Sequence, residues 1–142
     1  PLLVFHTVFG KTVPDISLNA VANLGYAEGR FLTPVYPGDT LNAVSEVLGV
    51  KQNSNGKTGV VTVRTTGFNQ EEIPVLSYVR WVMVNKRDES APVTDAPPKT
   101  PAALVSSSEL MLPPALDFSG YDDGLAGSPY RYQDYEIGEK ID

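Results

Sequence analysis

From the amino end, apolar residues are crowded rather than spaced. Residues 2–13, from Leu2 to Val13, are apolar on nearly every face. A helix of this kind must be surrounded by protein, and the pattern favours a helix, while the β-branched content also admits a strand. Pro14 and Asp15 break the pattern. Residues 18–32 read as a short strand with bends at Gly25 and Gly29, ending in Arg30-Phe31-Leu32.

Thr33 to Thr40 is a turn, with Pro37 setting φ and Gly38 supplying the positive φ that closes it. A strand follows from Leu41 to about Val50. Asn55-Gly56 then marks a hairpin, because this pair tolerates two successive positive φ values. The partner strand runs from about Thr58 to Gly67, with Val61, Val63 and Thr65 on one face. Residues 68–72 reverse the chain again. A third strand runs from about Val75 to Lys86, with Pro74 at its start, where a missing N–H costs least. The first part of the chain is thus a helix followed by an antiparallel meander. Its long strands are apolar on both faces and need cover on both sides.

From about Asp88 the composition changes. Pro92, Pro97, Pro98, Pro101, Pro113 and Pro114 fall here, with Ser106-Ser107-Ser108 among them, as in an extended linker. Beyond it, Tyr130 to Ile141 resumes an ordered pattern whose dense aromatics suggest docking onto a surface. The expected organisation is residues 1–88 as a domain, 89–118 as a linker and 119–142 as the start of a second domain.

Composition narrows the function. The chain has 142 residues and is 42% hydrophobic, enough for a packed core. A net charge of −6 with scattered basic residues argues against nucleic acid as a partner. With no cysteine, disulfides, thiolate metal sites and a cysteine nucleophile are excluded, which fits a cytoplasmic protein. No apolar run is long enough to span a membrane. An apolar start without Met, a basic stretch or a small-residue cleavage site is not a signal peptide. It reads as the middle of a protein, so the chain is expected to be a piece truncated at both ends.

Two groups of residues carry a resemblance. Arg30-Phe31, Pro34-Val35 and Gly38-Asp39-Thr40-Leu41 resemble a signature of the MaoC-like hydratases. The runs from Asn53 to Val61 and from Pro74 to Val84 are similar to the mesaconyl-CoA hydratase (methylmalyl-CoA dehydratase) branch of that family. The likeness covers residues 2–88 well. More loosely, Tyr132 to Glu139 is similar to the segment that opens a second such domain.

The resemblance implies an α+β hot-dog fold, a helix wrapped by a curved antiparallel sheet, as half of a double hot-dog. It implies a lyase that adds water reversibly to a short branched enoyl-CoA. The acyl-CoA is then the partner, and no cofactor is needed, CoA being part of the substrate. A single hot-dog leaves a sheet edge and an apolar face uncovered, so a second hot-dog domain or a homo-oligomer should cover them. The family's water is held by an Asp and a His a few residues apart, which must reach one water together. This sequence has no such pair, and its single histidine is His6. No catalytic residue and no metal ligand is therefore assigned. A non-catalytic half that binds CoA or completes the assembly is one alternative, and an acyl-CoA thioesterase of the same fold is another.

Three residues are candidates for substrate binding. His6 is read first as a core histidine with a hydrogen bond, or else as lining a pocket near the thioester. Arg30 and Arg80 are read first as buried stems whose heads reach water or a carboxylate. Either could instead grip a CoA phosphate with its bidentate fork, and Lys51, Lys57 and Arg64 could do the same. Asp39 is read as a turn residue, and Tyr78 with Trp81 as core or interface aromatics.

Overall fold

A computed structural model of the chain describes residues 1–92, 95–99, 101–102, 104–110, 117, 119–120, 122, 127, 130 and 132–140. Pro113 and Pro114 of the expected linker, and Arg131 and Ile141 of the tail, lie outside the described residues.

The opening segment is a helix, α1 (Leu2–Thr12). Its sheet-facing stripe is Val4, Phe5, Val8, Phe9 and Thr12, at the three- and four-residue spacing that aligns side chains on one helical face. The helix is not enclosed as its composition suggested. Val8 and Thr12 are buried, but Leu2 and Leu3 are 72% and 80% exposed. Pro14 does not end the winding either. The backbone continues through a π-helical turn, Val13–Ser17. Proline has no N–H to give to Gly10, and that carbonyl instead takes the N–H of Val13.

Four strands follow: β1 (Ala20–Phe31), β2 (Asn42–Gln52), β3 (Thr58–Phe68) and β4 (Pro74–Asn85). β2, β3 and β4 form the expected antiparallel meander. β1 departs from it, because the sheet order is β1-β4-β3-β2 and the connection out of β1 crosses to the far edge. β1 falls within the expected range of residues 18–32, and the bends foreseen at Gly25 and Gly29 fall at two of its register shifts, between Asn23 and Gly25 and between Ala27 and Arg30.

The turns show why the strand boundaries were legible. Asp39 N–H donates to Tyr36 O across Pro37 and Gly38, and Gly38 has φ of 101°. At the hairpin, Gly56 N–H donates to Asn53 O and Gly56 has φ of 69°. Asn55 keeps an ordinary φ. Its side-chain oxygen accepts the N–H groups of Lys57 and Thr58. The hairpin is therefore a turn followed by one left-handed glycine, not a pair of left-handed residues.

Helix and sheet meet at Val8. It is fully buried in a cluster with Leu41, Val75, Leu76 and Tyr78. Burying one valine side chain is worth roughly 2 kcal/mol. The close approach requires Gly67 on β3, since a Cβ there would lie 2.6 Å from Val8 Cγ2. Across the sheet Val79 is only 2% exposed. It sits in register between Ala27 and Arg64, where the Glu28–Arg64 ion pair spans β4 at 2.6 Å.

The chain divides into two units, Pro1–Ala102 and Ala103–Asp142. Residues 95–98 do not behave as a free linker, because Ala96 bridges Val50 at the outer edge of β2. In the second unit a one-turn helix, Ser107–Glu109, carries a reciprocal cap from Ser106 and Glu109. Tyr132–Asp134 forms another short turn. Within this unit Tyr132 is 94% exposed, and Tyr130 and Tyr135 pair with each other at 5.9 Å.

Gly67→Ala should lower stability by about 1–3 kcal/mol through overpacking against Val8. Val8→Ala in the same chain should return part of that loss, because it opens the space the new methyl needs. Urea unfolding of the two single variants and the double variant measures the coupling, and strictly additive losses would refute the contact.

Candidate functional site

The three residues singled out as substrate contacts are not brought together. His6 is on the exposed side of α1, where its ring meets Phe5 edge-on at 5.8 Å. It makes no hydrogen bond among the described residues, so the expected core histidine is corrected. Its neighbours along the chain, Phe5 and Phe9, face the sheet, and the helical period turns residue 6 away from it. Arg30 is exposed at the end of β1 opposite Ser77. It too has no partner among the described residues.

Arg80 is placed differently from either reading of it. It has no exposed surface, and its head reaches neither water nor a carboxylate. On β4 it faces α1, where Nη1 donates to Ser17 Oγ at 2.9 Å and Nη2 to Thr12 Oγ1 at 2.9 Å. A longer contact of 3.5 Å reaches Thr12 O. The guanidinium carbon lies 4.7 Å from the centre of the Phe9 ring, within cation–π range. Thr12 Oγ1 in turn donates to Phe9 O. The arginine thus supplies donors where the helix loses its regular ladder at Pro14. Burial pushes its pKa below that of a free arginine, opposed by Tyr78 and Tyr26. The group nonetheless stays charged.

Around this clamp the helix face of the sheet is aromatic. Phe5 lies 5.2 Å from Tyr78 and 5.7 Å from Tyr26, in tilted and edge-on pairs. Tyr78 Oη and Arg80 Nε are both buried without a hydrogen-bond partner among the described residues. Tyr78 is core, as expected. Trp81 points to the other face, where its ring covers the backbone of Gly25.

Arg64 and Asp39 are accounted for locally, while Lys51 lines a cavity beside the β2–β3 hairpin. Arg64 is paired with Glu28. Asp39 Oδ2 accepts Tyr36 N–H at 2.9 Å and Oδ1 accepts the Gln70 amide at 3.0 Å, while Gln70 Oε1 accepts Thr40 N–H. These bonds hold the Asp39 carboxyl below the usual carboxylate range, Tyr36 contributing most. No cluster of acidic or histidine side chains able to hold a metal is found among the described residues. No helix of the described residues is long and apolar enough to cross a membrane. A cavity of about 160 Å³ opens between the β2–β3 hairpin and the returning chain, lined in part by Gln52, Thr58, Lys86, Pro92 and Asp95. None of the three predicted contacts lines it. Sequence reading missed Lys86, whose ammonium donates to Gln52 Oε1 and to the carbonyls of Glu89 and Ala91. No local signal marks it, because its partners come from another strand and a later loop.

Comparison with known proteins gives this geometry a setting. A sequence model of the mesaconyl-CoA hydratase family matches residues 1–116. The chain is 62% identical over 141 residues to a mesaconyl-CoA hydratase of Cereibacter sphaeroides. It is 56% identical over 146 residues to a β-methylmalyl-CoA dehydratase of Chloroflexus aurantiacus. Each match covers 99% of the chain and about two fifths of the relative, 41% and 40%. Among solved structures, a MaoC domain protein dehydratase from Chloroflexus aurantiacus superposes with a TM-score of 0.79 at 54% identity, covering 97% of this chain and 39% of the other. A Mycobacterium tuberculosis protein described as a double hot-dog superposes with a TM-score of 0.62 at 26% identity, covering 89% of this chain and 38% of the other. The helix and its antiparallel sheet are therefore a hot-dog fold.

Two predictions follow from the side-chain geometry. Arg80→Ala should cost about 3–4 kcal/mol, because it leaves a cavity and unpaired hydroxyls. Arg80→Met should cost clearly less, since it fills the space without burying a charge. Equal losses in chemical denaturation would show that the stability lies in the guanidinium's bonds to Thr12 and Ser17 and not in the space it fills. For Asp39, the folded pKa lies below the unfolded value of roughly 3.9. Its contribution is complete above that value and is lost as pH falls through the folded pKa. The Tm gap between the parent and Asp39→Asn should therefore narrow as pH is taken from about 6 to below about 3. A gap independent of pH would contradict the assignment.

Proposed function

Because the chain belongs to the mesaconyl-CoA hydratase family, we propose that the protein it represents adds water reversibly across the double bond of a short branched enoyl-CoA such as mesaconyl-CoA. The observation that carries this reading is identity of 62% along 99% of the chain to a relative of that name. The chain spans about two fifths of that relative's length, so the activity is proposed for the whole protein. No resident cofactor enters the proposal, CoA being part of the substrate, and a cytoplasmic site of action goes with it.

Within the reaction this chain supplies framework. Hydration needs a base and an acid within reach of one water, and a donor at the thioester oxygen. The single histidine of the chain, His6, is exposed, and no carboxylate bonds to it among the described residues. The chain's own part is to hold α1 on the sheet through Val8 and Arg80. It can also contribute a surface contact to CoA, for which Arg30 is free and exposed. Arg80 is committed to Thr12 and Ser17 and is not offered to a ligand. A second hot-dog domain or a further copy is the proposed cover for Leu2, Leu3 and the apolar strand residues left exposed, such as Val44 and Val47. The double hot-dog neighbour supports that pairing.

The lone, exposed His6 also supports a second reading, in which this half binds CoA or completes the assembly without reacting. One set of assays separates the readings. The whole protein should remove the enoyl-thioester absorbance of mesaconyl-CoA, while the 142-residue chain alone should show at most CoA binding by calorimetry. Release of free thiol without hydration would point to a thioesterase instead, and no turnover of any enoyl-CoA by the whole protein would remove the hydratase reading. Arg30→Ala in the whole protein should raise KM about tenfold with kcat unchanged, the signature of a lost uniform contact.

A further inference from the structure

The β2–β3 hairpin carries the single asparagine of the sequence that is followed by glycine, Asn55 before Gly56. An asparagine so placed can modify itself. The main-chain nitrogen of the next residue bonds to the side-chain Cγ and gives up its proton, while the Cγ–Nδ2 bond breaks and the amide nitrogen leaves as ammonia. Water then opens the cyclic imide at either carbonyl, leaving an aspartyl residue or an isoaspartyl residue with one extra backbone carbon. Glycine offers the least shielded nitrogen, because it has no Cβ. The reaction is internal to the hairpin and consumes only water, so it requires no contact with any other surface.

The fold keeps both reacting groups engaged. Asn55 Oδ1 accepts the N–H of Lys57 at 3.0 Å, the N–H of Thr58 at 3.2 Å and the hydroxyl of Thr58 at 3.2 Å. Gly56 N–H, on the nitrogen that must attack, donates to Asn53 O at 3.0 Å. Thr58 is buried and is itself pinned, since its Oγ1 accepts Asn53 Nδ2 at 2.8 Å and its carbonyl accepts Asn53 N–H at 3.0 Å. Closing the imide turns the Asn55 side chain onto Gly56 N and rotates the peptide plane between them. That motion takes Oδ1 from its donors and Gly56 N–H from Asn53 O.

We propose that Asn55 is a self-modification site of the chain, and that the hydrogen bonds of the hairpin are its lock. The lock guards more than one amide. An extra backbone carbon at position 55 displaces Lys57, whose carbonyl accepts Lys86 N–H at 2.9 Å, and Thr58, which opens β3 in register with Asn85. The change therefore spreads from the hairpin tip to the end of β4.

Peptide mapping by mass spectrometry reads the aspartyl and isoaspartyl products at position 55. The whole protein is held at mildly alkaline pH, folded or unfolded in guanidinium chloride. The unfolded protein should convert about tenfold faster or more, the factor that two lost hydrogen bonds represent. Thr58→Val removes one donor from Oδ1, and the folded variant should convert about fivefold faster than the folded parent. Gly56→Ala should slow the unfolded protein, because its methyl group shields the attacking nitrogen. Equal rates in the folded and unfolded parent would overturn the lock, as would an unchanged rate in folded Thr58→Val. Should Thr58→Val fail to fold, the comparison on the parent decides. No product at position 55 in the unfolded parent, or no slowing by Gly56→Ala, would overturn the site.

Discussion

A guanidinium with no exposed surface, held by a threonine and a serine rather than by a carboxylate, is the constraint on which the arrangement of helix and sheet depends. Burying a charge is costly unless its donors are used. Arg80 places its donors where α1 loses its regular hydrogen bonding at Pro14, and its flat face against Phe9. The clamp sets the far end of the helix, and the Val8–Gly67 approach sets its middle. Between them lies the aromatic group of Phe5, Tyr26 and Tyr78.

The first unit, Pro1–Ala102, is therefore a well-anchored helix and sheet with surfaces left over. Leu2 and Leu3 at the start of α1 and Val44 and Val47 on β2 are exposed. These are the positions that a further layer or a second domain would cover, in keeping with a chain that spans two fifths of its relatives. Exposed apolar area of this sort marks an interface more often than a solvent face.

Much of the secondary structure could be read directly. The hairpin at Asn55-Gly56, the strand from Val75 and the turn at Pro37-Gly38 are local matters of φ and of missing N–H groups. Each appeared within a residue or two of its expected place. The extent of β1 and its bends were both visible, the bends as glycines, and bulges let the strand continue past them. Pro14, by contrast, misled. A proline ends a regular α-helix, but a wider turn with outside donors carries it forward. The candidate residues were the least legible. His6 looked internal and is outside, and Arg80 looked ambiguous and is fully inside.

Local chemistry was sufficient for the elements, and two runs of residues were sufficient for the family, because both are properties of neighbours along the chain. Strand order, the position of β1 beside β4, the burial of Arg80 and the return of residues 95–98 to β2 belong to contacts between positions tens of residues apart. Such contacts depend on which faces find each other when apolar surface leaves water. A guanidinium on a strand carries no mark of whether a helix end will arrive to accept its hydrogen bonds, and packing alone settles that.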